Sequence, residues 1–182
     1  WYNKSGDGII NDDDRRVIGD PNPKFIRGLG NSFSWRGFSL NGLFQWSYGG
    51  DILNEFNRDR DAMKLARNTS RRVLNAWKSE GDVTNVPMVR YSDLMENYRV
   101  SSMWVEDGSF LRLKDVTLAY TLKPKKFVKS LKFSFTAVNL PTWSKYSGYD
   151  PEVNSSTQPF VMGVDNGSYP KARTFNFGID VT

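Results

Sequence analysis

Apolar and polar residues alternate with a period of two along five segments of the chain. The clearest runs from Phe38 to Tyr48. Phe38, Leu40, Phe44, Trp46 and Tyr48 occupy one parity there, and Ser39, Asn41, Gln45 and Ser47 the other. Near the end, Phe175, Phe177, Ile179 and Val181 alternate with Asn176, Gly178, Asp180 and Thr182. Successive side chains of a strand point to opposite faces, so each pattern predicts a strand with one greasy and one wet side. Three more segments follow the rule less cleanly, which places strands near 25–35, 38–48, 110–122, 131–140 and 173–182. Arg27, Arg112 and Lys114 interrupt apolar faces. They are expected at strand ends, or on the polar side after a shift of register, because a charge at mid-depth in lipid is costly.

The connections alternate in length. Arg36-Gly37 is a two-residue hairpin turn, and 123–130 is a short basic link. Residues 1–24, 49–109 and 141–170 are long. Short turns on one side and long loops on the other are the layout of an antiparallel transmembrane β-barrel. Strands of about 9–13 residues suit a tilted crossing of a bilayer, which takes ~9–11. In this layout the strands alternately descend and rise, the long loops lie outside and the C-terminus is periplasmic. Five strands leave two open edges, which hydrocarbon does not tolerate, so further strands of the same barrel are expected. Within 49–109, Asn54 to Ala66 is rich in helix formers. Ser70 caps a second helix carrying Val73, Leu74 and Trp77 on one face and ending near Gly81.

Composition narrows the function classes. Of 182 residues, 38% are apolar, yet the chain has 12 Phe, 6 Trp and 8 Tyr. Such a polar, aromatic-rich chain suits a barrel wall with interfacial girdles or a sugar-stacking surface. With no Cys and no His, the commonest metal ligands, thiol nucleophiles and the commonest general base are absent, which points away from an enzyme. Cations and acids are interleaved, the net charge is +5, and no block of five like charges occurs, so a nucleic-acid partner is not expected. No apolar run is long enough for a transmembrane helix. The chain opens on Trp1 without a methionine start, which reads as a cut upstream.

Three sets of residues carry candidate chemistry. Asn3, Ser5, Asp7, Asn11 and Asp14 stand at positions 1, 3, 5, 9 and 12 of a calcium-type loop, with Gly8 at the sharp turn and Ile9 offering its carbonyl. Asn at position 1 and Asp at position 12 weaken the charge, so binding would be in the millimolar range of extracellular modules. The bland alternative is an Asp/Asn/Gly turn cluster. No cofactor is required. Trp77, Trp104 and Trp143 fall in loops or at strand ends and are candidates for ligand or partner contact, whereas the strand aromatics are expected to face lipid. Asp107, Asp115, Asp150 and Glu152 are spaced too irregularly for a glycosidase pair and read as turn and loop acids.

Seven stretches, in order, resemble the C-terminal region of the SusC/RagA-like family of TonB-linked outer-membrane proteins. They are 7–15 with 18–25, 37–49, 76–87, 105–120, 137–140, 146–152 and 167–178. The resemblance implies a 22-stranded barrel with an N-terminal plug, of which this chain would be the last five or so strands, with the plug outside it. It implies an importer of oligosaccharides or peptides in the outer membrane of a Gram-negative, Bacteroidota-like bacterium. Its partners would be the remaining strands and plug, a SusD-like surface lipoprotein, the TonB complex through the N-terminal part, and lipid and lipopolysaccharide. One departure is the end at Thr182, where family members carry an aromatic; position 183 would face lipid beside Val181. The alternative from a different class is a soluble all-β carbohydrate-binding module, in which the apolar faces would be buried against a second sheet. A glycoside hydrolase domain ranks below both.

Overall fold

The computed structural model describes residues 3–61, 68–90, 98–124, 128–155 and 161–182. In chain order the strands and the helix are β1 (Phe25–Trp35), β2 (Phe38–Tyr48), β3 (Asp51–Asn54), α1 (Glu55–Asp61), β4 (Val105–Asp107), β5 (Phe110–Leu122), β6 (Leu131–Val138), β7 (Thr142–Ser144), β8 (Val164–Asp165) and β9 (Thr174–Val181). The long strands form one antiparallel wall in the order β1-β2-β5-β6-β9, with β7 added beside β5. The short strands β4, β3 and β8 make a second, small sheet.

The β1–β2 hairpin turns at Arg36 (φ 45°) and Gly37 (φ 89°). Positive φ at both central residues gives a turn whose twist matches that of the flanking strands, so Trp35 meets Phe38 directly. Gly37 is required for a second reason. A Cβ there would lie 2.8 Å from the Thr121 carbonyl oxygen.

Register then carries the pattern across the wall. Trp35, Phe38, Tyr120, Phe133 and Ile179 stand in one row, and Phe33, Leu40, Leu118, Phe135 and Phe177 in the next. Directly opposed residues share a face, so the outward parities of all five strands join into one apolar surface. Between β2 and β5 the pairing slips: Leu43 faces Asp115, but Phe44 faces Leu113. Lys114 is the extra residue of a β-bulge. The bulge moves Leu111 and Leu113 onto the face of Val116, Leu118 and Tyr120, and sends Arg112 and Lys114 to the other. Lys114 Nζ there donates to Gln45 Oε1 at 2.8 Å. Of the two placements expected for these cations, the shift of register is the one realised. Arg27, third in β1, stays on the apolar side near the strand end.

Two predicted elements differ. The segment after Ser70 is a short 3-10 turn, Arg71–Asn75, not a helix reaching Gly81. Ser70 Oγ does accept from Arg72 N at 3.2 Å. The next turn does not form because Trp77 N donates to Val86 O at 3.0 Å, drawing the chain into an extended pair. The fourth long strand stops at Val138, because Asn139 adopts φ 56° and its Nδ2 donates to Ala172 O at 2.8 Å. Of the helical stretch read over Asn54 to Ala66, Glu55–Asp61 is α1, and 62–67 lies outside the described residues.

Candidate functional site

The apolar face of the wall is uncovered. Phe33, Trp35, Leu29, Phe175, Phe177, Ile179 and Val181 all exceed half exposure, and Phe177 reaches 83%. Cross-strand rings cover one another rather than a protein core: Phe38 and Tyr120 lie 4.3 Å apart, Phe135 and Phe177 4.9 Å, and Phe25 and Tyr48 5.5 Å. Eleven residues of β1 span ~36 Å. At the ~40° tilt of barrel strands this is ~27 Å of height, close to the ~25 Å apolar band of an outer-membrane barrel. The large buried apolar side chains Ile52, Trp104, Phe110 and Tyr146 lie instead where the long connections gather at the start of β5.

That region is held by buried polar groups. Arg112, 3% exposed on the polar face, projects beneath the 145–155 connection. Its Nη2 donates to Asp150 Oδ1, its Nη1 to Glu152 Oε2 at 2.9 Å, and its Nε to Thr142 Oγ1 at 2.8 Å. Lys171 adds a second cation to Glu152 at 3.0 Å. A cavity of about 260 Å³ borders this clamp, lined by Arg112, Asn139, Tyr149, Lys171 and Arg173 among others. Asp150 and Glu152, read from the sequence as turn and loop acids, are thus ion-pair partners of Arg112.

A second network ties the small sheet to the same connection. Tyr146 OH donates to Asp165 Oδ2 at 2.6 Å, and Asp165 Oδ1 accepts from Gly167 N at 2.8 Å. Burial, and then this bond to a carboxylate, push the Tyr146 hydroxyl far above the ordinary phenol range. Asn54, fully buried, donates to Glu106 Oε1 at 2.9 Å, and its Oδ1 accepts from Asn57 N at 2.9 Å, capping α1. Glu106 also accepts from Ser147 N at 2.8 Å. Gly148 leaves room for the Tyr146 ring, which a Cβ would overlap. Sequence reasoning gave no role to Tyr146, Asp165, Asn54 or Glu106. The signals were the 105–120 and 146–152 stretches, which hold Glu106 and Tyr146 and were singled out by resemblance alone.

Of the candidate tryptophans, Trp104 is a correction. It is 2% exposed and belongs to the core under the small sheet, so no ligand or partner reaches it. Trp143 is 54% exposed, but it sits opposite Leu111, which itself opposes Trp46. Register therefore puts it on the apolar face. Trp77 is partly exposed in the 68–90 connection, beside a groove lined by Leu74, Ala76 and Val83.

The Asn3–Asp14 loop folds as a set of self-bonded turns. Asn3 Oδ1 accepts from Gly6 N at 2.6 Å, Asp7 Oδ1 from Ile9 N at 2.8 Å, and Asn11 Oδ1 from Asp13 N at 2.7 Å. Asp14 accepts from Ser5, Asn11 and Lys4 backbone N–H groups, which hold its carboxyl below the ordinary carboxylate value. Gly6 and Gly8 take φ +79° and +81°. The donors named for calcium are thus drawn into one loop around Asp14. Among the described residues, no group of three or more acids is placed to hold a metal ion.

No protein-family model matches the chain. It is 34% identical over 186 residues to TonB-dependent receptor P3 of Formosa agariphila, covering 97% of this chain and 18% of the relative. It is 23% identical to TonB-dependent receptor SusC of Bacteroides thetaiotaomicron, over 100% of this chain and 17% of the relative. The chain therefore spans about a fifth of the length of the relatives it matches. Among solved structures, the RagAB peptide importer in its closed-closed state superposes with a TM-score of 0.76 at 25% identity, covering 91% of this chain and 18% of that one. The open-open state gives 0.72 at 26%. These relatives are named as receptors and importers, and their resemblance runs through the same five-strand wall and folded connections described above. By sequence and by fold, the chain belongs to the SusC/RagA-like TonB-dependent receptor family, as a segment of its antiparallel β-barrel.

Proposed function

We propose that this chain forms part of the lipid-facing wall, and part of the outer loops, of a TonB-energised importer in the outer membrane. The reading rests chiefly on one observation: a register-matched apolar face crosses all five long strands uncovered, while the large buried apolar side chains gather where the connections meet the start of β5. A protein that hid its core in water would do the opposite. The open edges of β1 and β9 would pair with further strands, since unpaired backbone is not tolerated in hydrocarbon. The short turns would face the periplasm and the folded connections the outside. The cargo would be oligosaccharides or peptides, with a SusD-like lipoprotein over the mouth and TonB acting through parts outside this chain. The segment itself carries out no chemical reaction.

The test is direct. The full-length protein is reconstituted with lipids brominated along their acyl chains, and quenching is read at single tryptophans. Trp46 and Trp143 should be quenched and Trp104 spared. Unquenched Trp46 and Trp143, in a protein that stays monomeric without detergent, would favour the soluble carbohydrate-binding reading instead. We also propose weak calcium binding at the Asn3–Asp14 loop. A terbium luminescence titration should saturate in the ~0.1–1 mM range and be lost in Asp14→Asn. An unchanged titration in the variant refutes it.

A further inference from the structure

We infer that the short-turn rim of the wall is a binding surface for the phosphate headgroups of anionic phospholipids. The inference rests on the barrel reading above. The Arg36–Gly37 turn is fastened to the end of β5, where Thr121 N donates to Gly37 O at 2.8 Å. Lys129 N donates to Thr182 O, next after β9, at 2.6 Å. Lys123 follows the last residue of β5. Folding thus gathers Arg36, Lys123 and Lys129 on one rim, and all three are exposed.

Among the described residues, no carboxylate pairs with them. The carboxylate of β9 at this end, Asp180, is the register partner of Lys132 on the polar face, turned away from the apolar side. The opposite rim is mixed: Lys24 and Arg27 stand at the start of β1, and Asp20, Asp51 and Asp107 are joined by backbone pairing in the connections at the same end.

The row next to the cations is aromatic and outward: Trp35, Phe38, Tyr120 and Phe133. The Arg36 guanidinium lies 5.1 Å from the Trp35 ring centroid, so it stands on the lipid side of the wall. Stacking occupies the flat face of a guanidinium and leaves its N–H edges free, in the fork geometry that matches a phosphate. Rings at the acyl boundary with unpaired cations just beyond them complement a lipid that has a buried tail and a phosphodiester anion. A zwitterionic headgroup brings its own ammonium and gains less.

The full-length protein is extracted in mild detergent and equilibrated with equal amounts of phosphatidylglycerol and phosphatidylcholine, and bound lipid is counted by native mass spectrometry. Phosphatidylglycerol should be retained in preference. The triple variant Arg36→Gln, Lys123→Gln, Lys129→Gln should lose that preference, by about fivefold per cation and so roughly a hundredfold in all. Lys24→Gln with Arg27→Gln, at the opposite rim, should leave it unchanged. Heat-modifiable gel migration checks that each variant is a folded barrel, and Arg36→Gln alone keeps the test open if the triple variant is not. No preference in the unaltered protein, full preference in the folded triple variant, or displacement by millimolar inorganic phosphate would each overturn the inference. An unaltered protein that folds in no lipid or detergent sinks the barrel reading beneath it.

Discussion

Replacing Arg112 by Met keeps most of the side-chain volume and removes the charge that holds the 145–155 connection to the wall. Arg112 is nearly fully buried, and its partner Asp150 is only slightly more exposed. Removing one member of a buried pair leaves an uncompensated charge, which costs about 3–5 kcal/mol. Here the lower end applies, because Glu152 keeps Lys171 at 3.0 Å and its side chain is 27% exposed. A cost of about 3 kcal/mol, at tenfold per ~1.4 kcal/mol, raises local opening of the connection roughly a hundredfold. Hydrogen exchange on the full-length protein should therefore accelerate at the amide N–H groups of Tyr146, Ser147 and Glu152, which are bonded to Ser144, Glu106 and Asp150. The ladder between β1 and β2 should be unchanged. Because the cost is electrostatic, adding Asp150→Asn and Glu152→Gln to Arg112→Met should recover much of the protection. Acceleration below about threefold in Arg112→Met, or equal acceleration in single and triple variants, would show that charge pairing does not hold this connection.

Other expectations follow from the faces, the turn and the acids. Phe177→Arg places a charge mid-strand on the outward face and should lower barrel stability in vesicles by about 2–4 kcal/mol, whereas Asn176→Arg on the polar face should cost little; equal effects would refute the assignment of faces. Gly37→Ala forces a Cβ to 2.8 Å from the Thr121 oxygen at φ +89° and should cost at least ~1–2 kcal/mol, measured by denaturant unfolding in detergent; a neutral outcome would mean the turn is not held as described. The Asp107 carboxyl is held below its ordinary value of 3.8 by hydrogen bonds from Ser109. Its contribution is therefore present above that value and declines as pH falls through the lower folded one, so Asp107→Asn should flatten the stability profile below about pH 4. An unchanged acid limb would assign the dependence elsewhere.

Sequence alone determined the parts of this protein that depend on neighbours two residues apart. Period-two alternation placed β1 and β2 at the bounds seen in the fold, and Arg36-Gly37 set their hairpin, because side-chain direction in a strand and backbone freedom in a two-residue turn are local properties. The apolar parity of β2, β6 and β9 was legible for the same reason. Only tertiary structure decided what depends on pairing at a distance. The bulge at Lys114 follows from the register of β5 against β2, some seventy residues away, and it alone settles the face of Arg112. The partners of Arg112 lie 38 and 40 residues on and are chosen by how the connection folds back. A three-residue strand such as β7 carries too little pattern to show that Trp143 looks outward, and a loop tryptophan such as Trp104 carries none to show that it is core. Alternation fixes which side chains travel together; which side they meet is set by hydrogen bonds between strands distant in the chain.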